Sequence, residues 1–139
     1  MSRLPSEDTV GYPDAVDRAK VGTYPALVKS GGGYFYDEVL EYRVWVHPEA
    51  GGEDLHDGED YFFSFPTYEE ALARSATTEG AEQPLVLVRQ LEHINEPSAG
   101  KFEHVIGERL TEWRVEWLEH NKRGEDSIEN FLRERSERV

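Results

Sequence analysis

Cysteine is absent from the chain, which excludes a disulfide framework, a thiolate metal site and a cysteine nucleophile. Long apolar runs are missing too. Eighteen apolar residues never follow one another, and the first 22 residues mix Asp, Glu, Pro and Arg where a secretion signal would need an apolar core. These absences predict a soluble cytoplasmic protein. Positive charge is scarce: 15 Lys and Arg stand against 29 Asp and Glu, for a net charge of -14. Phosphate backbones and anionic lipids repel such a surface, so direct nucleic-acid binding and membrane attachment are not expected, whereas basic proteins and cationic ligands are suitable partners. The usual catalytic loops are also lacking. No Gly-x-Gly-x-x-Gly or Gly-x-Ser-x-Gly occurs, the Gly31–Gly33 run lacks the Lys and Ser or Thr of a phosphate loop, and Ser30 before it follows no convincing strand.

What is present is concentrated in one stretch. Residues 34–65 carry one Lys or Arg against nine Asp or Glu, while residues 1–33 carry four of each. The same stretch is rich in Tyr, Phe and Trp. At 139 residues and 37% hydrophobic content, one domain with its own core is expected. Residues 1–33, with Pro5, Pro13 and Pro25, read as an arm or strap able to lie across a sheet; 34–118 read as the core domain and 119–139 as a charged tail.

Val39–His47 alternates, placing Leu40, Tyr42, Val44 and Val46 on a core face and Glu41, Arg43, Trp45 and His47 on the other. Gly51, Gly52 and the Asp57–Gly58 pair supply turn chemistry before a second strand at Tyr61–Phe65, giving a long-looped hairpin. Thr67 with Glu70 is a capping-box signal. It opens a helix whose buried stripe is Tyr68, Ala71, Leu72 and Ser75, with Gly80 as its stop. Leu85–Val88 is continuously apolar and reads as a strand covered on both faces. A turn at Asn95–Gly100 leads to a return at Lys101–Ile106, with Gly107 a candidate bulge, and then to a final strand alternating Thr111, Trp113, Val115 and Trp117 with Glu112, Arg114 and Glu116. Ser127 is a candidate N-cap of a short peripheral helix with a stripe of Ile128, Phe131 and Leu132, for which a partner surface is a possible need. The order ββαββα predicts an α+β domain: a mostly antiparallel sheet of four or five strands, one packed helix and a short C-terminal helix.

Three groups of residues are candidates for function. His47, Glu49, Glu53, Asp54, His56, Asp57, Glu59 and Asp60 fall within fourteen positions, a donor set that suits divalent cations. Their spacing does not fit a calcium loop: aligning Gly58 puts Leu55 at a ligand position and Ser64 where the bidentate Glu belongs. No metal is therefore assigned. His93 and His104 flank a hairpin turn. Pairing Ile94 with Phe102 would set Leu91 against Val105, Glu92 against His104 and His93 against Glu103, which explains both histidines without a ligand; a slip by one residue would oppose the histidines. Trp45 shares its face with charged residues rather than with the core and is a candidate interface or ligand shelf. Glu112 and Glu116, four extended residues apart, would stand about 13 Å from each other, too far for a glycosidase pair.

On Tyr34–Leu40, Tyr42–Pro48, Asp60–Ala71, Gly80–Gln90, Glu108–Leu118 and Ile128–Leu132, the chain resembles a small family of uncharacterised bacterial proteins, some labelled as GNAT-type acetyltransferases. The resemblance implies an acyltransferase using acetyl-CoA as one reading. GNAT enzymes cradle the pyrophosphate with Gln or Arg, two residues, Gly, one residue, then Gly or Ala. Here Arg74 is followed by Ser75, Ala76 and Thr77, so no site residue is carried over. The residues themselves favour a non-catalytic binding or regulatory module for a basic protein partner, without a cofactor, acting through Trp45, His47, Asp54, His56, Asp57, Glu59 and Asp60. The alternative is a GNAT-like acyltransferase with a diverged acetyl-CoA site.

Overall fold

Four strands form one antiparallel sheet in a computed structural model that describes residues 12–26 and 33–137. They are β1 (Glu38–Val46), β2 (Tyr61–Phe65), β3 (Leu85–Ser98) and β4 (Lys101–Arg114), with helix α1 (Tyr68–Thr77) before β3 and helix α2 (Ser127–Glu137) after β4. Across the sheet the order is β2-β1-β3-β4. The fold is α+β, as the pattern of elements predicts. Much of the expected arm, including Ser30 and the first two residues of the Gly31–Gly33 run, lies outside the described residues. Among the described residues no helix is long and apolar enough to cross a membrane.

β3 sits inside the sheet because its apolar run needs cover on both faces, and Val86, Leu87 and Val88 are fully buried. One face packs on α1 through Ala71. Tyr42, Val44, Val86, Val88 and Trp113 form the centre of that core, and burial of each large side chain contributes about 1.5–3 kcal/mol. The expected phase of β1 needs one correction. Its register against β3 shifts between Val39 and Glu41, so Val39 joins Tyr42 and Val44 in the main core, while Leu40 is buried outside that cluster.

Thr67 caps α1 as expected: its oxygen accepts from the Glu70 amide at 3.1 Å. The Glu70 carboxylate accepts from the Thr67 hydroxyl at 2.9 Å, instead of reaching the Thr67 amide. Ala71 and Ser75 of the expected stripe are buried, Tyr68 is half-buried, and Leu72 is exposed at the helix edge.

The β3–β4 hairpin corrects the expected register by two residues, pairing His93 with Val105, Ile94 with His104 and Asn95 with Glu103. A shift of two keeps every side chain on its face. Gln90 pairs with Arg109 and Glu92 with Ile106, so Gly107 and Glu108 oppose Leu91 alone, and Gly107 has φ +147°. The expected bulge is therefore present. It joins the two expected strands into one, which stops at Arg114; Val115–Leu118 turns into a 3-10 helix. The expected Glu112 and Glu116 face is not formed, since Glu116 lies in that 3-10 helix beyond the end of the strand.

The apolar stripe of α2 finds its cover within the chain. Ile128 is buried, and Phe131 packs against Tyr34, Phe102 and Phe35 with ring centroids 4.7, 5.2 and 6.0 Å away. Ser127 is the first helical residue, and its oxygen accepts from the Gly124 amide at 2.7 Å.

Of the segment 1–33, residues 12–26 are described and lie against the sheet. Ala15 donates to Pro66 and Val16 to Val39, both at 2.8 Å, and the Tyr42 hydroxyl donates to the Pro13 carbonyl. After a short 3-10 turn at Arg18–Lys20, the strap meets Glu41 and Arg43. Tyr42 lies between these two residues, so its side chain points to the opposite face. The strap thus passes from one face of the sheet to the other.

Candidate functional site

Alternation along β1 marks Glu41, Arg43 and Trp45 as a solvent face, but the structure buries the first two completely. Sheet register explains their company. Arg43 lies across from Ser64 of β2 and Leu85 of β3, Trp45 lies across from Phe62, and Glu112 of β4 lies across from Leu87. The Arg43 guanidinium spends its three nitrogens on three partners: Nε donates to Glu41 at 2.7 Å, Nη1 to Glu112 at 3.1 Å and Nη2 to the Pro25 carbonyl at 2.6 Å. Its Cζ lies 4.3 Å from the centre of the Phe62 ring. Glu41 also accepts from the Gly22 amide at 2.8 Å and the Ser64 hydroxyl at 3.0 Å. Glu112 accepts from Trp45 Nε1 at 2.9 Å. The network ties strap, β1 and β4 together, and it engages both carboxylates.

Trp45 is accordingly half-buried, with its indole N–H committed and its ring 4.8 Å from Phe62. Sequence reading found Trp45 but missed the charged cluster beside it. The signal was the Glu41, Arg43, Trp45 stripe, together with a second acid, Glu112, beside Trp113.

Beyond Trp45 the strand runs into the acidic loop. His47 is held between two carboxylates: Nδ1 lies 2.9 Å from Asp60 Oδ1, and Nε2 bonds Glu82. Asp60 and Glu82 raise its pKa above the ordinary histidine value. The clamp therefore stabilises the fold fully below the unfolded value of about 6.5 and loses that contribution as pH rises through the folded value. The urea midpoint is expected to fall from pH 6 to pH 8.5 by more in the native chain than in His47→Gln. An equal fall in both would refute the clamp.

The remaining loop residues order the loop itself. Asp54 accepts from the Gly58 amide at 2.7 Å, and the His56 ring meets Tyr61 edge-on at 5.4 Å. Asp57 and Gly58 both have positive φ, as their turn chemistry predicts. The Tyr61 hydroxyl donates to the Glu53 carbonyl at 2.7 Å. Asp54, His56, Asp57 and Glu59 are exposed, whereas Trp45 is half-buried. Among the described residues no three His, Asp or Glu side chains are arranged to hold a metal ion.

His93 and His104 do not meet either, since their pairing with Val105 and Ile94 places them on opposite faces. His104 bonds Glu92 at 2.8 Å, the contact expected from sequence, but made diagonally. His93 is buried, and burial, then Arg109 and His104, lower its pKa.

Charge is segregated around this frame. The loop from His47 to Asp60 holds six carboxylates and no Lys or Arg. Elsewhere cations stand between acids: Arg89 between Glu38 and Glu108 at 2.5 and 2.8 Å, and Arg123 between Asp37 and Glu92 at 2.6 and 3.2 Å. Compared with known protein families, curated proteins and solved structures, the chain matches none.

Proposed function

We propose that this protein is a non-catalytic binding or regulatory module whose acidic end docks a basic protein partner. The observation that carries this reading is the segregation of charge. An exposed loop with six carboxylates and no cation extends from a sheet whose other acids are largely interleaved with arginines. The loop's internal bonds hold it in shape before a partner arrives, which lowers the ordering cost of association. A negative surface of this kind speeds encounter with a positive one and excludes polyanions.

The geometry offers little to the acyltransferase alternative. At the start of α1 the Glu70 amide is already taken by Thr67, and Glu69 and Glu70 place negative charge where an anionic cofactor needs donors.

The combined variant Glu53→Gln, Asp54→Asn, Asp57→Asn, Glu59→Gln keeps Asp60 for His47 and an acceptor for Gly58. Both proteins, immobilised, are offered a cell extract, and what binds is purified and titrated at increasing salt. The expected result is a basic partner whose Kd weakens roughly tenfold in the variant and also weakens with salt. Equal retention by both proteins, or acidic partners alone, would overturn the reading. Saturable heat on titrating acetyl-CoA would favour the acyltransferase.

A further inference from the structure

Between the acidic loop and the last turn of α1 runs a groove of about 500 Å³, lined by Tyr61, Phe63, Leu55, Glu53, Glu79 and Arg74 among others. Its composition differs from the rest of the acidic surface. Tyr61 and Phe63 stand at right angles with centroids 5.7 Å apart, and Leu55 is about half exposed beside them. The groove already contains one example of the contact it can make: the Arg74 guanidinium lies 4.1 Å over the Phe63 ring. Among the described residues Arg74 has no ion pair, and neither do the carboxylates of Glu53 and Glu79. Two unpaired acids thus flank an aromatic wall in which Arg74 lies over Phe63, while half-buried Tyr61 meets only the rings of His56 and Phe63 and no cation, among the described residues.

We infer that this groove receives an arginine side chain of the basic partner, stacking its guanidinium on Tyr61 and pairing it with Glu53 and Glu79. The inference rests on the acidic-end reading and adds a residue type and a position to it. A planar guanidinium stacks on an aromatic face while donating in its plane to carboxylates; an ammonium lacks that geometry. Charge complementarity alone makes no such distinction. Arg74 competes for the same wall and repels a second cation, so its removal should favour the ligand.

The test uses the full chain and two peptides of equal charge, hexa-arginine amide and hexa-lysine amide, titrated at fixed salt with backbone NMR shifts as the readout. The expected result is hexa-arginine binding several-fold tighter than hexa-lysine, with shifts centred on Tyr61, Phe63, Thr78 and Glu79. Tyr61→Leu should abolish that preference, and Arg74→Ala should tighten hexa-arginine by a few-fold. Equal affinity for both peptides, with shifts spread over the loop, would overturn the groove site and leave the acidic docking surface standing. Binding of neither peptide at millimolar concentration would remove both.

Discussion

Replacing Arg43 with methionine is expected to lower the unfolding free energy by about 3–5 kcal/mol, because it strands two carboxylates in the sheet without a counter-charge. Glu41 and Arg43 are fully buried and Glu112 nearly so, which leaves no solvent to take over the guanidinium's role. Domains of this size hold only about 5–15 kcal/mol in total, so the variant should be marginal or unfolded in urea at neutral pH. The triple variant Glu41→Gln, Arg43→Met, Glu112→Gln separates charge from shape. The amide oxygen at position 41 still accepts from Gly22 and the one at position 112 from Trp45, the amide NH2 at position 41 can donate to the Ser64 hydroxyl oxygen, the excess charge is gone, and most of the loss should be recovered. If the single variant unfolds at the native urea midpoint, or the triple is no better than the single, the charge argument fails.

Trp113→Ala should cost a similar amount, about 3–5 kcal/mol, by a different route. The side chain is 1% exposed, stands next to Val86 of β3, and meets Tyr36 and Trp117 with centroids 5.7 and 6.1 Å away. Its Nε1 is buried without a hydrogen-bond partner among the described residues, so Trp113→Phe removes an unsatisfied donor along with some apolar volume and should lose much less than the alanine variant. Urea melts of both variants check this. Equal losses would mean that the indole N–H, not the ring volume, matters.

The local signals in the sequence carried the fold well. Thr67 and Glu70 opened α1, the Asp57–Gly58 pair turned the loop, Gly107 bulged, and the apolar run of Leu85–Val88 went to the interior of the sheet. Each of these depends on residues close to one another in the chain. Pairing across long separations was harder to read. The hairpin register was off by two because matching apolar and opposite-charge partners favours the expected alignment, whereas the observed one turns after Ser98 and sets Ile94 against His104 and His93 against Val105; both leave every face unchanged. The buried face of β1 was hidden for a related reason. Alternating Glu, Arg and Trp reads as solvent-facing unless the strap and Glu112, 69 residues from Arg43, are known to arrive there. At the acidic end the order reversed: the residues were legible as a cluster, but the clamp on His47 needed Glu82 from beyond α1.

The strap and its latch bear on the timing of biosynthesis. Arg43 cannot settle into its final place until Glu112 has been made, 69 residues later, so the guanidinium stays hydrated while β2 and β3 emerge from the ribosome. β1, β2 and the strap can meet early, since their contacts are close in sequence, but the charged face beneath Gly22 and Pro25 is completed only once β4 has been made. A latch begun by neighbouring segments is thus finished by a strand made much later.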